Sequence, residues 1–270
     1  MPAAPARISV PKAEAIRVQQ PIRAEPAPHS QHPITMAPCT SLRRLAGALA
    51  ATAIALPGGM AHAEEPAKDF SAAERALFMT DQFAKLRPPM TLRYRFQRSG
   101  SLEPAFDDKA SIVLKAQPGT GRCCDATGEF LSGERRIELP PVEGATGNPV
   151  TLFFLERDVR EMERLTKGKS NYFRKRIRMA IFQGAQQRAV TLQYRGKAVP
   201  GQEYTITPYV DDPNRPRFEQ LAGKRYVFTL SNAVPGGVYG IRALVLDAAK
   251  GDAAPPLLAE ELLIDGASAR

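Results

Sequence analysis

The stretch TGNPVTLFFLERDVREMERLTKGKSNYFRKRIRMAIFQ, residues 146–183, decides the fold. It carries the clearest helical periodicity in the chain, and strand-like alternation flanks it on both sides. Asn148 reads as an N-cap. Pro149 takes the first helical position, where a missing N–H costs nothing. Leu152, Leu155, Val159 and Met162 recur at spacings of three and four, so they share a face. Gly168 ends the helix. Arg157, Arg160 and Arg164 form a stripe on another side, with Glu156/Arg160, Arg157/Glu161 and Glu163/Lys167 spaced i,i+4. That stripe is either a solvated, salt-laced face or a contact surface for a partner protein.

A second helix starts at Ser170 or Asn171 and runs to about Gln183. At 100° per residue, Phe173, Ile177, Ala180 and Ile181 cover an arc of about 100°. Arg174, Lys175 and Arg178 lie beside and opposite it, and no acid falls within 167–182. The aromatics belong to the core face and do not form a base-stacking platform. The cationic edge is either solvated or holds an anionic group, such as a lipid headgroup or an acidic polymer.

Working outward, MTLRYRFQRSG alternates Leu92, Tyr94 and Phe96 with Arg93, Arg95 and Gln97, a half-buried strand with a basic outer face. KASIVLKA returns as a second strand, and EFLSGERRIEL gives one or two more around Ser132-Gly133. Upstream, Ser71-Ala-Ala-Glu74 is a capping box that opens a helix to about Leu86, ended by Arg87-Pro88-Pro89. Downstream, AVTLQYRG pairs with EYTITPYV across GKAVPGQ. KRYVFTLS and GVYGIRALVLD form another hairpin, and PPLLAEELLI adds an edge strand. Asp107-Asp108 reads as a turn cap more readily than as a metal or acid pair. Hairpin connections demand antiparallel pairing, and the helices are the available cover. The expected fold is α+β: a curved antiparallel sheet, half-barrel-like, wrapping two or three helices.

Compartment follows from SLRRLAGALAATAIALPGGMAHA, residues 41–63. Arg43-Arg44, the 12-residue apolar run Leu45–Leu56 and Ala61-His62-Ala63 make the three parts of a secretory signal peptide. The run is shorter than the roughly 20 residues a membrane span needs. Residues 1–35 read as an upstream non-native or disordered segment, with Met36 the expected start. Residues 36–63 are then the signal peptide, and 64–270 a single mature domain with a frayed tail. The expected location is periplasmic or secreted, after cleavage near Ala63. Beyond residue 63 there are 31 basic and 26 acidic residues, an excess too small to demand an anionic partner. All three histidines (His29, His32, His62) precede the cleavage site and there is no Trp. The mature chain therefore lacks imidazole bases, Ser-His and Cys-His pairs, and His-ligated metals. No enzyme, cofactor or metal is expected. Cys123 and Cys124 are adjacent, with no CxxC spacing. They read as two reduced thiols, one in the core and one on a polar face, with an intermolecular bridge or a redox pair as alternatives.

LRYRFQRSGSLEPAFDD, GNPVTLFFLERDVREMERLTKGKSNYFRKRIR and KRYVFTLSNAVPGGVYGIR resemble a family of exported proteobacterial proteins, from which no catalytic residue carries over. The element order is also similar to that of the LolA/LolB-like half-barrel lipoprotein carriers. That resemblance implies an apolar ligand between the concave sheet and the helices, with Arg174, Lys175 and Arg178 holding an anionic head. The function expected is binding of a lipid-like or anionic envelope component. The alternative is an assembly module contacting another envelope protein through its sheet edge or through the Arg157, Arg160 and Arg164 stripe. Nucleic acid is not an expected partner of an exported chain.

Overall fold

Alternation makes Met90–Gly100 a strand (β1) with Leu92, Tyr94 and Phe96 buried. It lies near the middle of a nine-stranded antiparallel sheet. The computed structural model describes residues 70–117, 119, 123–138, 140–251 and 254–268. The expected signal peptide and the segment before it lie outside these. The other strands are β2 (Phe106–Ala116), β3 (Cys123–Phe130), β4 (Ile137–Glu138), β5 (Gln186–Tyr194), β6 (Lys197–Ile206), β7 (Arg225–Leu230), β8 (Val238–Val245) and β9 (Leu258–Ile264). Their order is β4-β3-β2-β1-β9-β8-β7-β6-β5. Two meanders, β1–β4 and β5–β8, are thus joined by β9. The sheet curls: beyond β9, Ala267 bridges Tyr194 at the end of β5, and Arg195 N–H donates to the Gly266 carbonyl at 2.7 Å. Gly100, at φ +117°, ends β1 where a Cβ would strike the Leu257 carbonyl, so no other residue fits that approach.

Four helices accompany the sheet among the described residues: α1 (Ala72–Glu74), α2 (Val150–Thr166), α3 (Ser170–Gly184) and α4 (Arg215–Phe218). This is the expected α+β half-barrel layout. None of the described helices is long and apolar enough to cross a membrane. The concave face is filled by side chains. Phe154 of α2 meets Phe96 at 6.3 Å between ring centroids, and Phe96 meets Phe130 at 6.2 Å. Phe173 of α3 packs on Tyr209 and Phe218 at 5.8 and 5.7 Å. The space between sheet and helices that the half-barrel resemblance reserved for a ligand is therefore core.

Several local expectations change. The Ser71–Glu74 capping box is present, but the helix it opens ends at Met79 through a π-turn, Arg75–Met79. Docking onto the loop before α2 diverts the chain: Gln82 N–H donates to the Thr146 carbonyl, and the Gln82 side chain accepts from Asn148 N–H. Phe83 still reaches the core, from a loop. Residues 195–196 alone turn the β5–β6 hairpin, so most of GKAVPGQ is strand. PPLLAEELLI is central and not an edge, because both flanks of β9 are paired. Asp107 and Asp108, expected to cap a turn, lie within β2, and Asp108 accepts from the Lys109 N–H and, on the loop after β3, from the Ser132 N–H. Cys123 and Cys124 are joined by a disulfide across a cis peptide bond, which replaces the expected pair of reduced thiols. Their burial still alternates, Cys124 fully buried and Cys123 half-buried, as expected of one core and one outer position.

Candidate functional site

Helix α2 follows its sequence signals closely. The Asn148 side chain accepts from Val150 N–H at 3.2 Å, and Lys167 closes the helix in the left-handed conformation just before Gly168. The expected apolar face, Leu152, Leu155, Val159 and Met162, does not meet the sheet as a unit. Leu152, Leu155 and Val159 instead wall a groove shared with α3 (Ile177, Ile181), the π-turn (Phe78) and β4 (Ile137). Leu152 is 55% exposed and Phe78 38% exposed on its walls. The cavity measures about 660 Å³, within the usual range for small-ligand sites, roughly 300–1,000 Å³.

The rim carries Arg160, Arg174 and Arg178 against Glu74, Glu138 and Glu156. The expected unpaired basic edge is only partly present. Arg174 forks onto Glu156, from Nε at 2.9 Å and Nη2 at 2.7 Å, and Arg160 reaches the same carboxylate at 3.4 Å. The Arg174 hydrogen bonds hold the Glu156 carboxyl below its ordinary range, aided by Arg160, and Glu156 raises Arg174 in turn. Counting acids along α3 alone missed this, because the partner comes from α2. Arg176 is also committed, to Asp212 at 2.7 Å. Lys175 is exposed and lies away from the groove lining. Arg178 is the rim guanidinium without an acidic partner among the described residues.

The Arg157/Arg160/Arg164 stripe comes apart in the structure. Arg157 is buried against the sheet, Arg160 is on the groove rim, and Arg164 binds Glu103 at 2.7 Å and Glu161 at 2.8 Å. The sheet-facing side of α2 is charged: Arg157 meets Glu260 of β9 at 2.6 Å, and Glu260 also holds Arg98 of β1 at 2.8 Å. Asp158 is bound by Lys224 and the Tyr226 hydroxyl. Burial raises the Asp158 carboxyl against the pull of Lys224. Burial also pushes Glu260 upward, but Lys224, Arg157 and Arg98 more than offset it, and its pKa falls to about 2. Asp158, Lys224 and Glu260 are each at most 1% exposed, and their ion pairs tie α2 to β7 and β9. Arg98 and Glu260 were legible in principle. Arg98 continues the inward phase of Leu92, Tyr94 and Phe96, and Glu260 that of Leu258, Leu262 and Ile264. Among the described residues no cluster of His, Cys, Asp and Glu could hold a metal.

No protein-family model and no curated protein sequence matches the chain. Among solved structures it is similar to the Mycobacterium tuberculosis lipoprotein LppX, with TM-score 0.28, 9% identity, and coverage of 74% of this chain and 94% of that one. It is also similar to a chain of the Pseudomonas aeruginosa MucA/MucB complex, with TM-score 0.28, 13% identity, and coverage of 74% of this chain and 59% of that one. Superpositions this loose carry nothing about ligand or partner.

Proposed function

We propose that this chain is a non-enzymatic envelope protein whose groove between α2 and α3 takes the apolar part of a lipid-like ligand. The observation that supports it is the groove itself: about 660 Å³, walled by Phe78, Ile137, Leu152, Leu155, Val159, Ile177 and Ile181. Large apolar side chains left open to solvent mark binding sites more often than accidents. Burying about ten methylenes there would contribute about 8 kcal/mol before ordering costs, enough for binding in the micromolar range or weaker. Arg178, free of an acid, is placed to meet an anionic head at the rim. The export pattern of residues 41–63 supports the compartment, and the absence of histidine after residue 63 supports the lack of catalysis. The arginine-stripe form of the assembly alternative is reduced to Arg160 and Arg164, because Arg157 is buried; its sheet-edge form is unaffected.

The test is titration of the delipidated protein with the fluorescent fatty acid cis-parinaric acid. Saturable binding is expected, with a large loss in Leu152→Glu, which puts a charge on the groove wall at an exposed position and leaves the fold intact. Equal binding by the variant and the parent protein would sink the groove reading.

A further inference from the structure

The outward ridge of α3 is a different surface from the groove. Counting 100° per residue from buried Phe173, Arg178, Phe182 and Lys175 fall within about 60° of one another, with Lys175 and Phe182 turned away from the core and Arg178 at the side next to the groove. The helix contains no acidic residue. Lys175 and Arg178 have no acidic partner among the described residues, unlike Arg174 and Arg176 of the same helix. One turn beyond Arg178, Phe182 is 49% exposed although it closes a well-packed helix. Phe70, also exposed, lies by the same helix end, because the neighbouring Ser71 hydroxyl donates to the Ile181 carbonyl at 3.0 Å. Two unneutralised cations followed by two open aromatic rings make the pattern that binds an anionic lipid surface. Ammonium and guanidinium groups meet phosphates while the rings enter the headgroup layer.

We infer that the Lys175–Arg178–Phe182 ridge of α3 docks the protein on an anionic bilayer surface. Arg178 borders the groove as well, so docking by this ridge brings the groove rim to the lipid. The docking face stands whether or not the groove holds a lipid chain. The experiment is flotation of the full chain with phosphatidylglycerol vesicles and, separately, phosphatidylcholine vesicles. Binding is expected to the anionic vesicles alone and to weaken with added salt. Lys175→Glu with Phe182→Ser, neither of which lines the groove, should lower vesicle affinity about tenfold or more, since it reverses one charge facing the phosphates and removes one ring from the headgroup layer. Its cis-parinaric acid binding should be unchanged. Leu152→Glu should behave the opposite way, with vesicle binding kept and fatty-acid binding lost. Equal binding to both vesicle types, or a double variant that floats like the parent protein, would overturn the inference without touching the groove reading.

Discussion

Glu260→Gln tests how α2 is held to the sheet. The carboxylate is 1% exposed and meets Arg98 at 2.8 Å and Arg157 at 2.6 Å. Removing one partner of a buried ion pair costs about 3–5 kcal/mol where the remaining charge is left uncompensated; Arg98 and Arg157 each keep Glu161, at 3.1 and 3.4 Å, which places the cost at the lower end of that range. The titration behaviour gives a similar size. A fall from 4.5 to about 2 corresponds to about 3 kcal/mol at neutral pH. The folded value is depressed, so this contribution is fully present above the unfolded pKa near 4.5 and is lost as pH falls through about 2. Urea unfolding followed by far-UV circular dichroism, at several pH values, checks both parts. The variant should unfold about 3 kcal/mol more easily at pH 7, and the gap should shrink below pH 4.5. Asp158, which the Glu260 charge helps to raise, relaxes in the variant and trims the gap without reversing it. A gap under about 1 kcal/mol at pH 7, or one unchanged from pH 7 to pH 3, would refute the account.

Asn148→Ala should cost about 2–3 kcal/mol in the same unfolding experiment. It removes the Val150 cap and strands the buried Tyr94 hydroxyl and Gly236 carbonyl, which the side-chain amide binds at 2.7 and 3.0 Å. A loss under 0.5 kcal/mol would count against that role. The peptide holding Cys123 and Cys124 should take up no alkylating reagent before reduction and two equivalents after it, as read by mass spectrometry. Labelling without reductant would return the pair to the thiol state.

Local periodicity carried the element types well, because burial on one face writes itself into the residues of that element. The alternation around Tyr94 and the cap at Asn148 are read from neighbours in sequence, and the structure keeps them; the left-handed C-cap falls on Lys167, one residue before the expected Gly168. What periodicity does not encode is which element lies alongside. Alternation in β9 is the same at an edge or in the centre, so its position between β1 and β8 was not visible. Arg157 looked solvated because its partner, Glu260, is far along the chain. Arg174 looked free because Glu156 belongs to the other helix. The groove is likewise a product of packing: it exists because Leu152, expected on the apolar face of α2, stays outside together with Phe78.

The central place of β9 also bears on how the chain assembles in time. β1 can meet β2 as soon as both have been made, and β5–β8 can zip up as a second meander. Their strands do not pair with one another until residues 258–264 arrive, since β1 and β8 touch only through β9, although Asn148 and α2 already bridge the two meanders. A chain emerging N-terminus first, from a ribosome or through a translocation channel, therefore carries two open edges until its last described strand is delivered. Arg157 waits until then for Glu260. Loss of that strand would leave two separate four-stranded sheets with bare edges, an arrangement prone to mispairing. Completion of the fold is in this sense timed by the C-terminal end of the domain.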